Sequence, residues 1–156
     1  MKPASLHEIK KELELQTPAR LLELCMGMAK YKKDNKELLT YLLFRSEDIH
    51  IYITDVKLEM DEAFKLLPKH NVYIFTKSLR KVLRNTNKLI KHSGNKLAEA
   101  ELLIYFCDKL KKSGIDVNKS TALTNLLEQQ VKKITKAISY LHEDLQYDYL
   151  RELELI

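Results

Sequence analysis

The stretch Leu97–Lys112, LAEAELLIYFCDKLKK, decides the fold. On a helix of 3.6 residues per turn, Glu101, Asp108, Lys109 and Lys112, with Tyr105 among them, form one narrow polar stripe. Leu97, Ala100, Leu102, Leu103, Ile104, Phe106, Cys107 and Leu110 cover more than half of the circumference. A helix apolar over so wide an arc needs neighbours on at least two sides. The segment is therefore expected to be the central helix of an all-α domain.

The totals agree with that expectation. A chain of 156 residues fits one domain, 1–156, and a domain of this size buries about 70% of the surface of its unfolded chain without needing a staple. Hydrophobic residues at 45% and charged residues at 31%, with only three Gly and three Pro, exclude a loop-rich or low-complexity protein. The longest apolar run, Leu102 to Cys107, falls far short of the roughly 20 residues of a membrane span. The start, MKPASLHEIKKELEL, lacks the apolar core of a secretory signal, so a cytoplasmic protein is expected. Cys25 and Cys107 occupy apolar helical positions without CxxC spacing, which points to two buried thiols in a reducing compartment, a disulfide being the alternative.

Working outward from the central helix, start and stop signals divide the chain. Ser5 and Glu8 have capping-box spacing and open a first helix carrying Leu6, Ile9 and Leu13. Thr17-Pro18 opens a second, to about Lys33, expected to bury Leu21, Leu22, Cys25, Met26 and Met28, with Gly27 either a close contact or a weakness. Asp34 with Glu37 opens a short third helix, ELLTYLLF, apolar enough to be expected between neighbours. From Asp48 a fourth helix shows Ile49, Ile53, Val56, Met60, Ala63, Phe64 and Leu67 on one face. Asp48, Tyr52, Asp55, Glu59 and Glu62 mark the other. Its IHIYI segment alternates like a strand, but the helical period continues beyond it. Asn71 can cap a fifth helix with Val72, Phe75, Leu79, Val82, Leu83 and Ile90 inward, ended by Gly94. Gly114 ends the central helix, and one last long helical stretch runs from about Ser120. About seven helices with short connections predict antiparallel neighbours. No fixed repeat period is present, which leaves an irregular array of stacked hairpins, with a closed bundle as the alternative.

No motif marks a chemical site. His7-Glu8 and His142-Glu143 lack the second histidine of a zinc-protease helix. Glu47 and His50 make a single Glu-x-x-His unit where di-iron bundles use two, and a helix start favours acidic residues for its dipole alone. Three dispersed glycines cannot form a phosphate-cradling loop. Asp55, Glu59 and Glu62 share one helix face and could hold a divalent cation if enclosed, but a stripe opposite an apolar stripe normally points to water. Neither a cofactor nor a small-molecule substrate is indicated.

Charge carries the one compositional signal. Between Lys69 and Lys96 there is no acidic residue. Lys77, Arg80, Lys81, Arg84, Lys88 and Lys91 recur every three or four positions as a basic ridge along the fifth helix. The fourth helix and the C-terminal stretch, with Glu143, Asp144, Asp148, Glu152 and Glu154, are acidic, so the net charge of +5 hides local separation. In the plainest reading the ridge is a solvated face, partly neutralised by the acidic helices. It could instead bind an acidic protein, including the acidic tail of a second copy, or contact nucleic-acid phosphates. Against groove reading, the helix after Ser93-Gly94-Asn95 is the apolar central one, with Glu99 and Glu101 near its start. Aromatics near the ridge are limited to Tyr73 and Phe75, few for single-strand stacking.

The order of segments resembles a family of small uncharacterised all-helical bacterial proteins. The resemblance covers Leu6 to about Tyr147 by layout and is carried by KELLTYLLF (Lys36 to Phe44) and by EAELLIYFC (Glu99 to Cys107). It implies an all-helical fold, brings no assigned activity and carries over no site residue. The expectation is a cytoplasmic, non-enzymatic helical module acting through the basic ridge. A nucleic-acid-associated protein using the same ridge is the alternative, and a metal-dependent enzyme at the acidic fourth helix is a third.

Overall fold

The computed structural model describes residues 2–156. Eight α-helices succeed one another: α1 (Leu6–Glu14), α2 (Pro18–Tyr31), α3 (Lys33–Phe44), α4 (Ile49–Lys65), α5 (Val72–Ser93), α6 (Lys96–Lys111), α7 (Thr121–Ile138) and α8 (Glu143–Glu154). A single 3-10 turn, Val117–Lys119, precedes α7. Among the described residues there is no strand, and IHIYI forms the start of α4.

The helix starts follow local chemistry. The Ser5 Oγ accepts from the Glu8 N–H while the Ser5 N–H donates to the Glu8 carboxylate at 2.8 Å, a complete capping box. Thr17 caps α2 with Pro18 in its first turn, and Asp48, Asn71 and Asn95 each accept two backbone N–H groups at the starts of α4, α5 and α6. Gly94 closes α5 at φ 59°, a left-handed conformation nearly closed to other residues.

Two boundaries differ from the sequence reading. Lys32, extended at φ -141° and ψ 144°, ends α2 at Tyr31, and α3 begins at Lys33, so Asp34 lies within its first turn instead of capping it with Glu37. The last helical stretch is two helices, because the chain turns at Ser139–His142. The apolar spacing of Ile138, Leu141 and Leu145 runs through the break, but polar groups hold it open. The Ser139 hydroxyl donates to the Lys136 carbonyl at 2.7 Å, the Gln146 amide donates to the Leu141 carbonyl at 2.8 Å, and His142 Nδ1 accepts from the Asp144 N–H.

Contacts gather in two units, Met1–Phe44 and Arg45–Ile156. In the second, α6 packs against α4, α5, α7 and α8. Ala98, Ala100, Leu102, Leu103, Ile104, Phe106, Cys107 and Leu110 are all buried, as a central helix requires. Phe75, Leu79, Leu123, Ile134 and Ile138 close around it, and the Phe64 and Phe106 rings meet edge to face at 5.6 Å. Direction can be read from contacts. Tyr52 at the start of α4 reaches Leu89 near the end of α5, so those helices are antiparallel, whereas Lys57 meets Glu101 and Asp61 meets Tyr105, so α4 and α6 are parallel. Tyr52 also corrects the sequence reading. It is buried, donating its hydroxyl to the Leu89 carbonyl at 2.9 Å, because a phenol can leave a polar face when its one donor finds an acceptor.

In Met1–Phe44, α2 and α3 form a hairpin tied by the Asn35 amide, which donates to the Met28 carbonyl at 2.9 Å. The burial expected here is not found. Of α1, α2 and α3 only Tyr41 is buried; Leu22, Cys25, Met26 and Met28 are exposed, and so are Leu42, Leu43 and Phe44. Two neighbouring helices cover too little of each other's circumference to enclose side chains of this size. Gly27 is a local weakness rather than a close contact, since an added Cβ would meet nothing within 4 Å.

Candidate interaction surface

The ridge on α5 follows from its spacing. Phe75, Leu79, Thr86 and Ile90 turn inward, which places Lys77, Arg80, Lys81, Arg84 and Lys91 on the opposite, exposed face. From Lys77 to Lys91 the ridge extends about 21 Å at 1.5 Å per residue. Tyr73, 77% exposed, stands in line with its N-terminal end. Lys88 alone departs from the pattern, being half-buried and engaged by a neighbour.

The acidic helix does not neutralise this face. On α4 the Asp55 carboxylate meets Arg45 at 3.0 Å, Glu62 meets Lys65 at 2.6 Å, and Asp61 meets Lys109 at 2.8 Å. Among the described residues no carboxylate pairs with Lys77, Arg80, Lys81, Arg84 or Lys91. The cations of α5 therefore face solvent with their charge uncompensated at short range. Asp55, Glu59 and Glu62 do not converge on a common point, and among the described residues no group of three or more His, Cys, Asp or Glu side chains comes together as a metal site. Nor is any helix of the described residues long and apolar enough to cross a membrane. The thiols differ from expectation in one case: Cys107 is buried, whereas Cys25 lies on an exposed face of α2.

The structure also assembles a polar cluster that sequence reading missed. Glu101, Tyr105 and Lys109 of the α6 stripe are bridged to other helices, while Lys112 stays exposed and pairs with Asp108 of its own helix. Glu101 accepts from the Tyr149 hydroxyl at 2.6 Å and from Lys57 Nζ at 2.9 Å, joining α4, α6 and α8. One turn on, Asp61 accepts from the Tyr105 hydroxyl at 2.6 Å beside Lys109, while Lys57 and Lys109 both stand near the Tyr105 ring, 5.4 and 5.7 Å from its centre. Burial pulls the Glu101 carboxyl upward, but the Tyr149 and Lys57 hydrogen bonds and nearby positive charge outweigh it and hold its pKa below the usual value. The Asp61 pKa is lowered by the hydrogen bonds from Lys109 and Tyr105. Burial and the bond to Asp61 push the Tyr105 phenol up to about 12. The signal was present in two matching i, i+4 pairs, Lys57/Asp61 on α4 and Glu101/Tyr105 on α6, which become complementary once the helices lie parallel. The cluster ties three helices together, and its charges are spent on one another, unlike those of the ridge.

Searches against protein-family models, curated proteins and solved structures return no match for this chain.

Proposed function

We propose that this protein is a non-enzymatic helical interaction module of the cytoplasm whose contact surface is the basic ridge of α5. The observation that carries the reading is the row of five exposed cations, Lys77, Arg80, Lys81, Arg84 and Lys91, none of them paired with a carboxylate of the described chain. A row of unpaired cations on a rigid helix suits a partner with an acidic surface, since complementary charge steers encounter and fixes register. We read the helices as an irregular array of antiparallel hairpins, in which α4 and α6 pack against α5 and support it. A second reading, contact with nucleic-acid phosphates, draws on the exposed Tyr73 in line with the ridge.

One pair of measurements separates them. The Lys77→Glu/Arg84→Glu/Lys91→Glu variant, exposed at every changed position, should retain its helical circular dichroism and lose at least about tenfold in affinity for proteins captured by the wild-type chain. Unchanged capture by this variant would sink the ridge reading. Mixed DNA and RNA oligonucleotides titrated between about 50 and 200 mM salt test the second: five phosphate contacts would cost roughly several-hundredfold in duplex affinity over that range. Tight binding with such a slope would replace the acidic protein by nucleic acid.

A further inference from the structure

We propose that the groove between α2 and α3 is a docking site for an amphipathic helix of a partner protein, one whose apolar stripe is flanked by carboxylates. The groove, open to solvent along its length, has a volume of about 580 Å³, within the range of clefts that take ligands. Met26, Leu39, Leu43 and Phe44 form its floor. Met26 is 46% exposed, Leu43 63% and Phe44 73%, so large apolar side chains stand in water inside a concavity. Lys36, Leu39 and Leu43 succeed one another at helical spacing along α3, and a third helix laid into such a two-helix groove completes a packed cluster. The methionine adds an adaptable surface of the kind that accepts varied helical ridges.

Charge selects the occupant. Lys30, Lys32 and Lys36 rim the groove, all exposed, and none pairs with a described carboxylate. A partner helix carrying Glu or Asp beside its apolar stripe would supply the missing counter-charges as its leucines fill the floor. The same face of a second copy would bring lysine against lysine. A flat anionic bilayer could meet the lysines but could not fill a concave floor. The proposal uses no residue of the α5 ridge, so either can fail alone.

The probe is a fluorescent designed helix of about 18 residues, five turns, with leucines at i, i+3 and i+7 flanked by glutamates. Its control is the same peptide with lysines in place of the glutamates. The full chain should bind the acidic peptide saturably and the lysine peptide at least tenfold more weakly. Lys30→Glu/Lys36→Glu and, separately, Leu43→Ser should each weaken binding about tenfold with circular dichroism unchanged. Lys77→Glu/Arg84→Glu should leave it untouched. No saturable binding, or equal affinity for the two peptides, would overturn the proposal. So would a preference for phosphatidylglycerol vesicles, which would make the groove a lipid contact, or dimerisation abolished by Leu43→Ser, which would make it a contact between copies.

Discussion

Glu37–Leu43 and Glu101–Cys107 read almost alike, ELLTYLL and ELLIYFC, yet they meet opposite surroundings. In α6, Leu102, Leu103, Phe106 and Cys107 are fully buried; in α3, Leu38 is 38% exposed, Leu42 53% and Leu43 63%. Even the tyrosines trade places: Tyr41 is the buried residue of α3, whereas Tyr105 is half-exposed, with its hydroxyl bound to Asp61. The difference lies in the neighbours. Four helices surround α6, while α3 packs mainly on α2. Local hydrophobicity states how much surface a helix could bury, and the number of adjacent helices decides how much it does.

The contrast can be broken most directly in the core. Phe106→Ala removes a fully buried ring and should cost about 3–5 kcal/mol, whereas Leu43→Ala should stay within about 0.5 kcal/mol, both read by urea unfolding. A large loss from Leu43→Ala would mean that the α3 face is covered in solution. A middle-sized effect is expected at the polar cluster. Tyr149→Phe deletes a donor to a charged acceptor and should cost about 1–2 kcal/mol at neutral pH. Because Glu101 and Asp61 have lowered folded pKa values, their contribution is complete above the ordinary carboxylate range near pH 4 and is lost as pH falls through the lowered values. The cost of Tyr149→Phe should therefore shrink in acid, and a constant cost from pH 7 to about pH 2 would contradict the linkage.

The smallest effect on stability, and the sharpest on reactivity, concerns the thiols. Burial pushes the Cys107 thiol up to about 12, so an aromatic disulfide reagent should modify Cys25 at once and Cys107 only in denaturant. Cys25→Ser should leave the unfolding midpoint unchanged. Equal rates at the two thiols would show that α6 opens under native conditions.

Much of this was legible in the residues themselves. Ser5 with Glu8, Thr17-Pro18, Asn71 and Gly94 set helix ends through bonds within a few positions, so spacing alone revealed them, and the wide apolar arc of α6 announced its central place. Tyr52, Leu43 and Cys25 were misread because their burial depends on helices distant in sequence. The α7–α8 break was hidden because apolar spacing runs through it. The ridge could be found as a charge pattern, but its lack of acidic partners is seen only in the folded chain, where Asp55, Glu62 and Asp61 of α4 pair with Arg45, Lys65 and Lys109 instead.

Two of the four helices around α6, α5 and α7, are also its immediate neighbours along the chain. Contacts of short sequence separation close small loops and so form early. The chain should thus commit to its final topology in the middle, with α5, α6 and α7 meeting first and α4 docking once Lys57 and Asp61 find their partners. The bond from Tyr149 to Glu101, spanning 48 residues, then comes late, as a latch on a structure whose outcome is already decided.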